Sequence, residues 1–168
     1  MIRATAEIIN QRQSPSVQSV VQLAGKGRNT FYAHFANLEQ ATRAVESSAA
    51  TLVAGRVEAG LRASVGPREL LSSVISAWLS AATHAPDLVG AFLSSASSSR
   101  CALLARQHLR GALEEARSSG LISGNIDEAR LLAAVGCFLA LIRIRVEGRA
   151  AAEALERVAV EVLLRLFR

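Results

Sequence analysis

Residues that carry covalent chemistry are scarce in this chain. Cys101 and Cys137 are the only cysteines among 168 residues. That excludes a disulfide-stapled scaffold and any paired-thiolate zinc motif. No catalytic carboxylate pair, nucleophile triad, glycine-rich phosphate loop or metal-ligand spacing stands out. No catalytic residue, metal or cofactor is therefore assigned, and an enzyme is the least favoured class. The longest strongly apolar run, residues 131–144, is interrupted by Gly136 and is too short to span a bilayer. No N-terminal stretch has the charged, apolar and small-residue order of a signal peptide. These features point to a cytoplasmic protein without a membrane partner. Both thiols are expected to be reduced and buried as small apolar side chains.

Three prolines and few aromatics, in a chain rich in Ala, Leu, Val and Arg, favour an all-α protein. Lys26 is the only lysine. The formal net charge is +5. Residues 1–45 hold Arg3, Arg12, Lys26, Arg28 and Arg43 against Glu7 and Glu39, so +3 of that charge (five minus two) lies there. A cationic surplus suits a polyanionic partner, although many basic proteins have none.

The most informative segment is S-V-Q-S-V-V-Q-L-A-G-K-G-R-N-T-F-Y-A-H-F, residues 16–35. Val17, Val20, Val21, Leu23 and Ala24 form a helical apolar stripe. Gly25-Lys26-Gly27 breaks it, and a second short helix follows, carrying Phe31, Tyr32 and Phe35. Two short helices across a glycine-containing turn, the second opening on Arg, Asn and Thr, read as a helix-turn-helix. In such a unit Arg28 can fork onto guanine and Asn29 can pair with adenine. Ala33 can touch a thymine methyl. Lys26, Thr30, Tyr32 and His34 suit phosphate, as do backbone N–H groups at Ser16 and the start of the helix that it caps. Phe31 and Phe35 are core residues on this reading. Simple packing remains an alternative for Tyr32 and a solvated charge for Arg28.

The same residues resemble the TetR family of bacterial transcriptional regulators. Ser16 takes the place of a capping Thr, Val20 that of an Ile, and Ala24-Gly25 that of the family's A-G. Thr30-Phe31-Tyr32 matches T-L-Y, and His34-Phe35 matches H-F. Downstream, His84-Ala85-Pro86-Asp87-Leu88 and the run from Ser119 to Asp127 are similar to breaks between helices of the family. The resemblance implies base readers at Arg28, Asn29 and, on the preceding helix, Gln18. There are departures. Lys26 and Gly27 replace Val and Ser in the turn, which removes a capping hydroxyl. Leu38 stands where a phosphate-binding Lys is usual. The first helix begins almost at Met1, leaving no basic arm, and its link to the second is short and lacks its usual Gly.

The spacing predicts helices over residues 2–12, 16–24, 28–35, 37–63, 68–84, 86–95, 101–119, 127–147 and 151–167, with a serine-rich loop at 94–99. Residues 1–45 form the expected helix-turn-helix domain, and 46–168 a helical effector-binding and dimerisation domain. Val74, Trp78, Leu79, Phe92, Leu103, Leu104 and His108 are candidates to line an apolar cavity for a small-molecule effector, with plain core packing as the alternative for each. The eighth helix is apolar almost all round, so it must be covered on more than one side. Leu131, Val135, Phe138, Leu139 and Ile142 on it, and Leu155, Val158, Val162, Leu163 and Leu166 on the last helix, are the expected homodimer interface implied by the resemblance. The expected function is a dimeric repressor on a palindromic operator in double-stranded DNA, released by a small apolar effector. The alternative is a helical ligand-binding or protein-interaction module that has lost specific DNA recognition.

Overall fold

The computed structural model of the protein describes residues 1–94 and 98–168, which form nine helices and no strand. They are α1 (Ile2–Asn10), α2 (Val17–Leu23), α3 (Arg28–His34), α4 (Leu38–Ala63), α5 (Pro67–His84), α6 (Pro86–Ser94), α7 (Ser98–Ser118), α8 (Glu128–Val146) and α9 (Ala152–Leu166). The middle of the expected serine-rich loop, residues 95–97, lies outside the described residues.

Helix ends follow short-range chemistry. Asn37 accepts from Gln40 N–H at 2.9 Å and starts α4; Asp127 accepts from Arg130 N–H at 2.9 Å and starts α8. Ser16 starts α2 through a reciprocal box: its hydroxyl accepts from Ser19 N–H at 3.0 Å, while Ser19 Oγ accepts from Ser16 N–H at 2.9 Å. Pro67 opens α5 at the position where a missing N–H costs nothing. α1 stops at Asn10, two residues earlier than its apolar spacing suggests, and Arg12 then takes a left-handed φ of 59°.

Helices α1–α3 and the start of α4 enclose a small core of Ala4, Ile8, Val20, Val21, Phe31, Phe35 and Ala41. Leu38 packs against it. A second small cluster, Ala6, Ile9, Val45 and Ala91, joins α1 and α4 to α6. From Ala49 onward α4 belongs to the main core, with α5–α9. α4 runs unbroken through residue 45, so the two parts share a helix rather than a linker.

α6 is the seam between the parts. Asn10 Nδ2 on α1 donates to Asp87 Oδ1 at 3.2 Å. Beside that bond the Asn10 side chain lies over Gly90: a Cβ there would overlap the Asn10 carboxamide, on α1, and lie 2.9 Å from Val146 Cγ1, on α8, so both side chains would have to shift. α1 and α6 are thus in direct side-chain contact.

Candidate nucleic-acid interface

α2 ends at Ala24, and Gly25 then turns the chain at φ 61°. Gly25 N–H returns to Gln22 O at 3.2 Å and Lys26 N–H to Val21 O at 2.9 Å. The left-handed residue is the reason for glycine here. Gly27 is the N-cap of α3 and supplies no side-chain cap, as the sequence predicts.

Within α3 only Phe31 is buried. At 100° per residue, Asn29 and Ala33 lie opposite Phe31 at the centre of the outward face. Arg28 and Tyr32 flank them on one side, Thr30 and His34 on the other. All six are exposed, as are Lys26 in the turn and Gln18 on α2. Tyr32 rests edge-on against Phe31, ring centroids 5.4 Å apart, with 56% of its surface free. Packing thus holds the Tyr32 ring and leaves its hydroxyl outward. The face carries a fork donor at Arg28 and an amide at Asn29, groups able to pair with base edges, beside the hydroxyls of Thr30 and Tyr32 and the cation of Lys26, groups able to meet phosphate. Ser16 N–H is occupied by Ser19, so it is not available to a phosphate; the first-turn N–H groups of Val17 and Gln18 have no partner within the helix.

The expected cavity is filled. Val74, Trp78, Leu79 and Phe92 are buried in the main core. Trp78 meets Phe138 edge-on at 5.6 Å, and its N–H donates to His108 Nδ1 at 3.1 Å. Leu104 is half-buried, whereas Leu103 points outward, 52% exposed. These residues are therefore core or surface in this conformation.

The expected interface also divides. Leu131, Val135, Phe138, Ile142, Leu155 and Leu163 are buried in the chain's own core and are not free to meet a second copy. Val158 and Val162 are exposed, and Leu139 and Leu166 lie between. The outward face of α8 is instead Leu132, Ala133, Gly136, Cys137 and Ala140. Sequence reasoning passed over these because the larger residues drew the stripe; the signal was small residues at helical spacing in a leucine-rich helix. Cys137 is consequently exposed rather than buried, while Cys101 is buried, its thiol pushed up to about 12 by burial. Among the described residues no single helix is long and apolar enough to cross a membrane.

No family sequence model and no curated protein matches the chain. Solved structures do. The TetR-family transcriptional regulator PfmR from Thermus thermophilus superimposes with a TM-score of 0.80 over 98% of this chain and 96% of its own, at 20% identity. The ketosteroid transcriptional regulator KstR2 of Mycobacterium tuberculosis gives 0.75 over 98% and 91%, at 16% identity. AibR, solved in complex with isovaleryl coenzyme A and operator DNA, gives 0.73 over 97% and 95%, at 18% identity. Across nearly its whole length, this chain has the fold of the TetR-family transcriptional regulators.

Proposed function

We propose that the protein is a homodimeric, cytoplasmic DNA-binding transcriptional regulator, a repressor of a palindromic operator that a small apolar effector releases. The observation that carries this reading is α3, which spends one side chain on the core and turns six toward solvent. A helix so lightly used for packing, capped by no side chain and rimmed by Lys26 and Arg28, is built for an external partner.

Two copies joined through α8 and α9 place two such helices on one side of the molecule. The small residues Ala133, Gly136 and Ala140 let two α8 helices approach closely, and Val158 and Val162 extend the apolar patch. With a two-fold axis there, α3 and its mate read half-sites separated by about 34–36 Å or a greater spacing. An effector that prefers a conformation with the Trp78 region opened displaces α6 and, through Asn10 and Gly90, α1. The two α3 helices then leave their common spacing. DNA affinity falls by the effector's preference for that state.

A gel shift on the DNA flanking the gene tests the proposal. Wild type is expected to retard a fragment that Arg28→Ala does not. Leu38, which packs inward where a cation would serve DNA, favours the second reading, a helical binding module. A folded dimer that retards no fragment at low salt would select that reading.

A further inference from the structure

Four helices end in one hydrogen-bonding motif. The residue after the C-cap turns left-handed, and two N–H groups fold back on the last turn. Gly25, Gly120 and Gly148 hold that position after α2, α7 and α8, at φ 61°, 77° and 68°. After α1 the residue is Arg12, at φ 59°. Arg12 N–H reaches Ile9 O at 2.9 Å and Gln13 N–H reaches Ile8 O at 3.1 Å. A Cβ is strained in this region and glycine is not. The backbone gains nothing from arginine here; what arginine adds is its side chain.

That side chain lines an open cleft of about 690 Å³. One wall is the α1–α2 link, with Arg12, Ser14 and Pro15; the other is the ends of α6 and α8, with Leu93, Ser94 and Arg143. Among the described residues no carboxylate lines the cleft. Among the described residues, neither arginine has a carboxylate within ion-pair distance. Arg143 donates through Nη2 to Ser94 Oγ at 2.7 Å and to Gly90 O at 3.5 Å. Its guanidinium is thereby held, with Nε and Nη1 unengaged among the described residues. Burial lowers the pKa of Arg143; Glu147 raises it, and the charge of Arg12 lowers it again. Both arginines line the one cleft, Arg12 at a cost in backbone strain and Arg143 at a cost in desolvation.

We infer that this cleft binds the oxyanion group of a small molecule, a carboxylate or a phosphate, between Arg12 and Arg143, with Pro15 and Leu93 receiving its apolar portion. Two guanidiniums present fork-shaped donors to one oxyanion and lose their mutual repulsion when it binds. The volume suits a small molecule. Pro15 and Ser16 lead directly into α2, so a bound anion ties the entrance of the helix-turn-helix to α6 and α8. The consequence for DNA rests on the function proposed above; binding of the anion does not.

Thermal unfolding of the full chain tests the site, in chloride against inorganic phosphate and against hexanoate at matched ionic strength. At a hundredfold excess over Kd, the wild-type Tm is expected to rise by about 5–10 °C. A rise with phosphate alone assigns a phosphate, and a rise with hexanoate alone a carboxylate. Arg12→Gly relieves the left-handed strain, so without anion it melts above wild type, yet it loses the anion-dependent rise. Arg143→Gln loses the rise as well. No rise with either anion, or an undiminished rise in both variants, overturns the inference. A full Tm response with unchanged DNA affinity keeps the site and removes its link to DNA.

Discussion

The indole N–H of Trp78 on α5 donates to Nδ1 of His108 on α7 at 3.1 Å. The bond ties α5 to α7 at the main core, and it requires a neutral imidazole whose proton sits on Nε2. Burial already lowers the His108 pKa below its usual 6.5. The unfolded chain therefore takes up a proton more readily than the native one, and stability falls as pH drops below 6.5. Above that value this contribution is constant. Thermal melts between pH 7 and 5, followed by the single tryptophan's fluorescence, are expected to show a Tm that declines on acidification in the wild type. The decline is smaller in His108→Asn. Parallel pH profiles for the two proteins would remove His108 from the account.

Gly90 tests the seam between the two parts. Gly90→Ala forces the Asn10 carboxamide away, breaks its bond to Asp87 and presses on Val146. A loss of about 1–3 kcal/mol is expected from urea unfolding. A neutral substitution would show that α1 and α6 are not tightly coupled.

Gly124 and Gly111 make a matched pair. Gly124 N–H donates to Phe167 O at 2.7 Å, and a Cβ there would lie 2.6 Å from that backbone oxygen. Backbone cannot rotate aside as a side chain can, so Gly124→Ala is expected to lower Tm and loosen the end of α9. Gly111 is exposed within α7, with nothing within 4 Å of an added Cβ. Gly111→Ala is expected to stabilise by about 0.4–1 kcal/mol through helix propensity and unfolded-state entropy.

The sequence made short-range features readable. Asn37, Asp127 and Ser16 announce helix starts because a side-chain oxygen three residues before a free N–H has one job. Gly25, Gly120 and Gly148 announce ends for a similar reason. The exposed face of α3 was readable too, because Phe31 and Phe35 alone in that segment could fill a core. Faces set by long-range packing were not. α8 is apolar almost all round, and periodicity does not say which side meets its own subunit, so Leu131 and Phe138 were expected outward and lie inward. Trp78 suggested a cavity, yet a cavity is a volume left over after packing and has no local signature. The pairing of Arg12 with Arg143 across the cleft depends on where α1 and α8 end relative to one another, which only the fold determines.

Gly136 tests the proposed dimer face. Nothing lies within 4 Å of a Cβ added there, so Gly136→Arg leaves the subunit intact and blocks close approach of a second α8. Sedimentation is expected to give a dimer for wild type and a folded monomer for the variant. A variant that remains dimeric would place the interface elsewhere.

The central claim is that the outward face of α3 reads DNA from a two-fold dimer, and a footprint on the DNA flanking the gene tests it most directly. Wild type is predicted to protect a palindrome whose half-sites lie on successive major grooves, and Arg28→Ala, equally folded and dimeric, is predicted to lose that protection. Absence of any protected region at low salt with a folded dimer, or protection identical in Arg28→Ala, would contradict the account.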